Sequence, residues 1–325
     1  MTPTQRRTLL LSLAPLVAAG CGGRHRMHHR AEGTVRRFAA ALDGAEEAVD
    51  GLISRMDAFE RDAAAEEEAI AFATGGAGGR GTGGRASRGE QGSRFTPAPA
   101  GAADAAGRVL DAAFAALEDY SEVLAQAASG RRVVDAEGLN GQQLARATES
   151  ALDALRRSGG GSIPDAERRA GLQGIAALAD LPQAIARQGR RPTESAVVAE
   201  AQPHVAATAA LLRAAIGAGP GQGARGAIAV RQSRLDASQG RLLAAIRRDR
   251  SLGPTARYEA FRSIAEARDD DPDEEAFDAL LAMIAATEQA HAALGTGGPD
   301  AEAKVAAFEL AVLALRSYNE ASRRG

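Results

Sequence analysis

Val35, Phe38, Leu42, Ala45, Val49, Leu52, Met56 and Phe59 recur at alternating spacings of four and three without a break. That rhythm lays one apolar stripe along an α-helix, and such a stripe has to be covered by other helices. Charged residues flank it: Arg36, Arg37, Glu46, Glu47, Asp50 and Arg55. The spacing predicts a single helix over 31–73. At ~1.5 Å per residue it would be about 60 Å long, which implies an elongated bundle around it.

The same rhythm returns after residue 101. Leu110, Ala113, Leu117, Tyr120, Leu124 and Ala127 form a second row, and Val198, Ala201, Val205, Thr208, Leu212 and Ala215 a third. Further helices are expected over 142–157, after Pro164, over 224–250, over 254–268, through Phe277–Leu294 and from Asp300. Pro182 should kink or end its helix early, and Pro203 should kink the next. No window alternates β-branched residues with period two. Residues are 45% hydrophobic but only 3% aromatic, with no Trp, so the core must be built largely from Ala packed at short helix spacing. The expected fold is all-α: an elongated, Ala-rich multi-helix bundle with a long N-terminal helix, the bundle proper spanning 102–325. Residues 74–101, with Gly75-Gly76-Ala77-Gly78-Gly79 at their start and Pro97 and Pro99 near their end, hold almost nothing that can be buried and predict a disordered linker.

The beginning of the chain has a different character. Arg6 and Arg7 precede an apolar run from Thr8 to Ala19, too short to span a bilayer, and the run closes in Val17-Ala18-Ala19-Gly20-Cys21. Cys21 is the only cysteine of the chain. This segment resembles the signal peptide and lipobox of bacterial lipoproteins. It departs from the commonest form by carrying Ala18 where Leu is most frequent. The resemblance covers residues 1–21 and implies that 1–20 are removed and that Cys21 is acylated. It further implies a protein held in the cell envelope, at the outer membrane facing the periplasm if the organism has two membranes, because Gly22 and not Asp follows the cysteine. Residues 21–30, with Arg24, His25, Arg26, His28, His29 and Arg30, then read as a basic tether along lipid headgroups.

Patterns that could carry chemistry are sparse. Glu288-Gln289-Ala290-His291 matches the Glu-x-x-His unit of di-iron bundles, but the other body histidine, His204, sits in a different context with Pro203 beside it. Gly221-Gln222-Gly223-Ala224-Arg225-Gly226 has dinucleotide-loop spacing, yet a helix and not a strand precedes it, so it reads as a helix–helix turn. The acidic run Asp269–Glu275 lacks the ligand spacing of a calcium loop and reads as a solvated helix start. A net charge of −3 excludes a strongly basic nucleic-acid binder, and one Cys excludes an intrachain disulfide framework. The expectation is therefore no enzyme, no cofactor and no metal. The chain reads as an envelope protein attached to the membrane through acylated Cys21, serving as a structural or interaction module for another envelope protein or the cell wall. The alternative is a periplasmic bundle that binds a small apolar or amphipathic ligand.

Overall fold

A computed structural model describes residues 19–74, 101–133, 140–189, 191–219, 221–267 and 274–321, with side chains from residue 31 to 320 within those segments. Among the described residues there are nine helices and no strand. They are α1 (Ala19–Ala73), α2 (Ala102–Ala128), α3 (Gly141–Arg157), α4 (Asp165–Gln188), α5 (Glu194–Ile216), α6 (Gly223–Arg248), α7 (Pro254–Ala267), α8 (Glu274–Leu294) and α9 (Gly298–Ala321). The protein is an all-α multi-helix bundle.

Helix α1 is the spine of the bundle. Val35, Phe38, Leu42, Ala45, Val49, Leu52 and Met56 are all buried, and they pack within the chain against α2, α9, α6 and α8. Beyond Met56 the buried row passes through Glu60, Ala63 and Ile70, and Phe59 is only half-buried. A straight helix drifts about 20° per heptad against a strict seven-residue repeat, so the covered face moves from position 59 to 60. The helix also starts earlier than its apolar pattern. It begins at Ala19, so the backbone of 21–30, expected as a tether, continues the helix toward its start. Extending an existing helix costs far less than nucleating one, and Arg, His and Met are all tolerated in it. The expected signal segment before residue 19 and the linker over 75–100 lie outside the described residues.

Helix α2 runs antiparallel to α1 and α9 runs parallel to it. Along the α1–α9 seam, Arg37 pairs with Glu309, Arg316 Nη2 reaches Glu47 Oε2 at 2.6 Å, and Asn319 Nδ2 donates to the Ala48 carbonyl at 2.7 Å. Small residues let helices approach elsewhere. A Cβ on Gly171 of α4 would lie 2.4 Å from Leu211 Cβ of α5, and one on Gly174 would lie 2.8 Å from the His204 carbonyl oxygen. Helix α4 does not end early at Pro182: it continues to Gln188 with the proline ring buried. Helix α5 likewise continues through Pro203. The apolar contacts of the buried Pro182 offset the one hydrogen bond its ring removes.

Candidate functional site

The most chemically distinctive place in the core is where α2, α5 and α8 meet beneath α1. Tyr120 of α2 and His291 of α8 are both fully buried. The Tyr120 hydroxyl lies 2.7 Å from His291 Nε2, and His291 Nδ1 lies 2.6 Å from Gln202 Oε1 of α5. One tautomer satisfies every atom: Nδ1–H donates to the Gln202 carbonyl oxygen, and the bare Nε2 accepts from the Tyr120 hydroxyl. Phe38 of α1 closes the site, its ring centroid 6.2 Å from the imidazole and 5.7 Å from that of Phe308. Burial holds the His291 pKa down at about 4 and pushes the Tyr120 phenol far above its usual value. Both groups are neutral, satisfied and shut away from solvent. The arrangement ties three helices to one another through two buried hydrogen bonds.

The Glu-x-x-His pattern does not assemble. Glu288 turns to Arg213, with Oε2 2.7 Å from Nη1, and leaves His291 to Gln202 and Tyr120. The His204 backbone faces Gly174 of α4, on a different side of α5 from Gln202. Among the described residues no three His, Cys, Asp or Glu side chains gather in a way that could hold a metal ion. The glycines of 221–226 make the turn between α5 and α6. Gly217, Gly221 and Gly223 take positive φ of 105°, 79° and 54°, and a Cβ on Gly226 would lie 2.3 Å from the carbonyl carbon of Gly221.

Two charged residues do structural work that their sequence context hides. Glu60, buried in α1, accepts from the backbone N–H of Ala102 at 3.1 Å and of Ala103 at 2.8 Å, so an α1 carboxylate caps the start of α2. Arg225, buried at the start of α6, pairs with Glu274 and with Asp278, whose Oδ1 is 2.9 Å away, and stacks over Phe277 at 5.8 Å. The described end of the acidic run thus holds a cation in place; Asp269–Asp273 lie outside the described residues.

Two cavities were candidates for a ligand. The apolar one between α2, α5 and α8, bounded by Phe114, Leu117, Val205, Leu212, Met283 and Ile284, has about 20 Å³, room for about one water. The larger is an open cleft of about 740 Å³ where α2 and α8 end and α5 and α9 begin, bounded by Ala31, Ala127, Thr193, Ser195, Leu294 and Thr296 among others. Cys21 falls near the start of α1, and its side chain lies outside the described residues, as do those of His25, His28 and His29. No protein-family model matches the chain, and no curated protein or solved structure matches it.

Proposed function

We propose that this protein is a lipid-anchored component of the bacterial cell envelope, without catalytic activity, that serves as a structural or protein-interaction module. The observation that carries the reading is the position of the chain's only cysteine. Cys21 closes a basic-then-apolar leader ending in small residues, and it stands at the beginning of the helix that becomes the spine of the bundle. Acyl chains there would fasten the membrane directly to α1. Two chains suffice for stable attachment where one would be marginal. Among the described residues no helix is long and apolar enough to cross a membrane, so such attachment would have to come from the leader or its lipid. The buried Tyr120–His291–Gln202 chain is internally satisfied and Arg225 is held by Glu274 and Asp278, which suits a scaffold better than a catalyst.

Replacing Cys21 with Ser tests the anchor. The variant is expected to lose incorporation of a palmitate analogue and to accumulate as uncleaved precursor or leave the membrane fraction. Labelling that persists in the Ser variant would sink the proposal. In a two-membrane organism, density-gradient fractionation should place the wild-type protein with the outer membrane. The 740 Å³ cleft favours the second reading, a bundle that holds an amphipathic ligand, because its volume falls in the range of small-molecule sites. Native mass spectrometry of the protein released from envelopes should then show a bound species that Ser195→Trp displaces.

A further inference from the structure

Helix α9 is apolar on two opposite sides, and the bundle covers only one. Ala301, Val305, Phe308, Val312 and Leu315 are buried against α1 and α8. On the opposite side Ala303, Ala307, Leu310, Ala314 and Ser317 repeat at spacings of four and three, and all are exposed. Leu313 widens the stripe. Leu310 and Leu313 are 67% and 57% exposed, among the largest apolar side chains left open to solvent. No charged residue lies in the row from Ala303 to Ser317: Glu309 and Arg316 turn to Arg37 and Glu47 on the α1 side, Glu302 lies toward Arg37, Lys304 turns to Gln289 on the α8 side, and Asp300 and Glu320 stand beyond its two ends. The neighbouring exposed positions of α8, Ala282, Gln289 and Ala292, add no charge. A contiguous apolar face of a few hundred Å² left open to solvent marks a surface that another molecule can cover.

We infer that the outer face of α9 is covered by a second copy of this chain, the two α9 helices packing antiparallel about a two-fold axis at Leu310. The charge distribution argues against a membrane as the occupant. Interfacial helices flank their apolar face with Lys and Arg, whereas the only bases of α9, Lys304 and Arg316, are already engaged within the bundle. Size pattern favours a self-pair. About a two-fold at Leu310 the two Leu310 side chains meet on the axis, while Leu313 of one copy falls opposite Ala307 of the other and Ala303 opposite Ser317, so Leu313 meets a small residue. A parallel pairing would stack Leu on Leu and leave gaps between Ala layers. The stripe from 303 to 317 is about 21 Å long, and with the adjoining row of α8 about 20 Å wide. Two such faces bury roughly 850 Å² in all, which places the pair among weak, reversible associations. The inference does not depend on the lipid anchor.

Sedimentation velocity of the full chain in mild detergent, over roughly 1 to 100 µM, is expected to show a monomer–dimer equilibrium. Leu310→Glu with Leu313→Glu should move the midpoint upward by more than about tenfold, while the melting temperature stays put because both positions are exposed. In a Cys21→Ser background, Leu310→Cys should oxidise to a disulfide-linked dimer and Leu313→Cys should not link to its own kind. A chain that stays monomeric over the whole range, or association that survives the double glutamate substitution, overturns the inference. So does a monomer that binds phosphatidylethanolamine–phosphatidylglycerol vesicles through Leu310 and Leu313, which would assign the face to the membrane. Self-linking at 313 and not at 310 would overturn the antiparallel register.

Discussion

At the scale of single residues, the buried polar groups set the sharpest expectations. His291 titrates at about 4 in the fold because it is buried, against an ordinary value of 6.5 in the unfolded chain. Its neutral form is therefore favoured by folding: the contribution is intact above pH 6.5 and is lost as pH falls from 6.5 toward 4. The loss amounts to about 3 kcal/mol by the lower end. Glu46, Asp50 and Asp111 oppose it. Burial holds all three carboxyls above their ordinary values, with Asp50 adding to the effect on Asp111 and on Glu46, so their protonation favours the fold as pH falls. Urea titrations between about pH 7 and 4.5 should show the wild type losing stability relative to His291→Phe as pH falls, the gap between the two narrowing even though that variant starts lower. A second expectation rests on Glu60. Glu60→Ala leaves the Ala102 and Ala103 N–H groups without acceptors and should cost about 2 kcal/mol, read as a lowered urea midpoint with unchanged slope. Glu60→Gln, which keeps an acceptor, should cost less.

At the scale of the helices, what the sequence discloses depends on whether the deciding contact is periodic. The α1 row from Val35 to Met56 and the α2 row from Leu110 to Ala127 are legible because burial recurs every three or four positions, whatever the partner is. The role of Glu60 is not legible in that way. A carboxylate in the apolar register reads as an interruption, and its partners lie more than forty residues downstream. The only available signal was that Glu60 stands four residues after Met56, in line with the drifting stripe. The Glu-x-x-His spacing does not disclose where its side chains go, for the complementary reason: it puts both on α8, but Arg213 of α5 takes one and Tyr120 of α2 the other. Pro182 does not end its helix, since a helix packed against its neighbours tolerates one missing bond. The position of the cap also fixes how much chain must join α1 to α2. Helix α1 overshoots Glu60 by about 20 Å, so the return to Gly101 needs only about six extended residues. Deleting 76–92 leaves more than that and should shift the melting temperature little.

At the scale of the whole molecule, α1 is shared by most of the structure. It lies against α2, α6, α8 and α9, so those four helices lose a covered face when α1 is removed, while α3, α4 and α5 pack on α2, α8 and one another. Residues 101–325 expressed alone should lack a cooperative calorimetric transition, and supplying 31–74 as a separate chain should restore one. Leu52→Asp, which buries a charge where the side chain is fully enclosed, should destabilise the intact protein by several kcal/mol without changing its association. A fragment that melts like the full chain would show that α1 is an accessory and not the spine.

The direction of α1 also decides how the molecule would respond to being pulled. A load entering near Ala19 travels down the axis of a helix clasped along its length, from Val35 to Ile70, by neighbours lying almost alongside it. Every layer is then loaded in shear together, and none can be peeled away ahead of the rest. A tether built this way would hold its shape under tension and give way in one abrupt event.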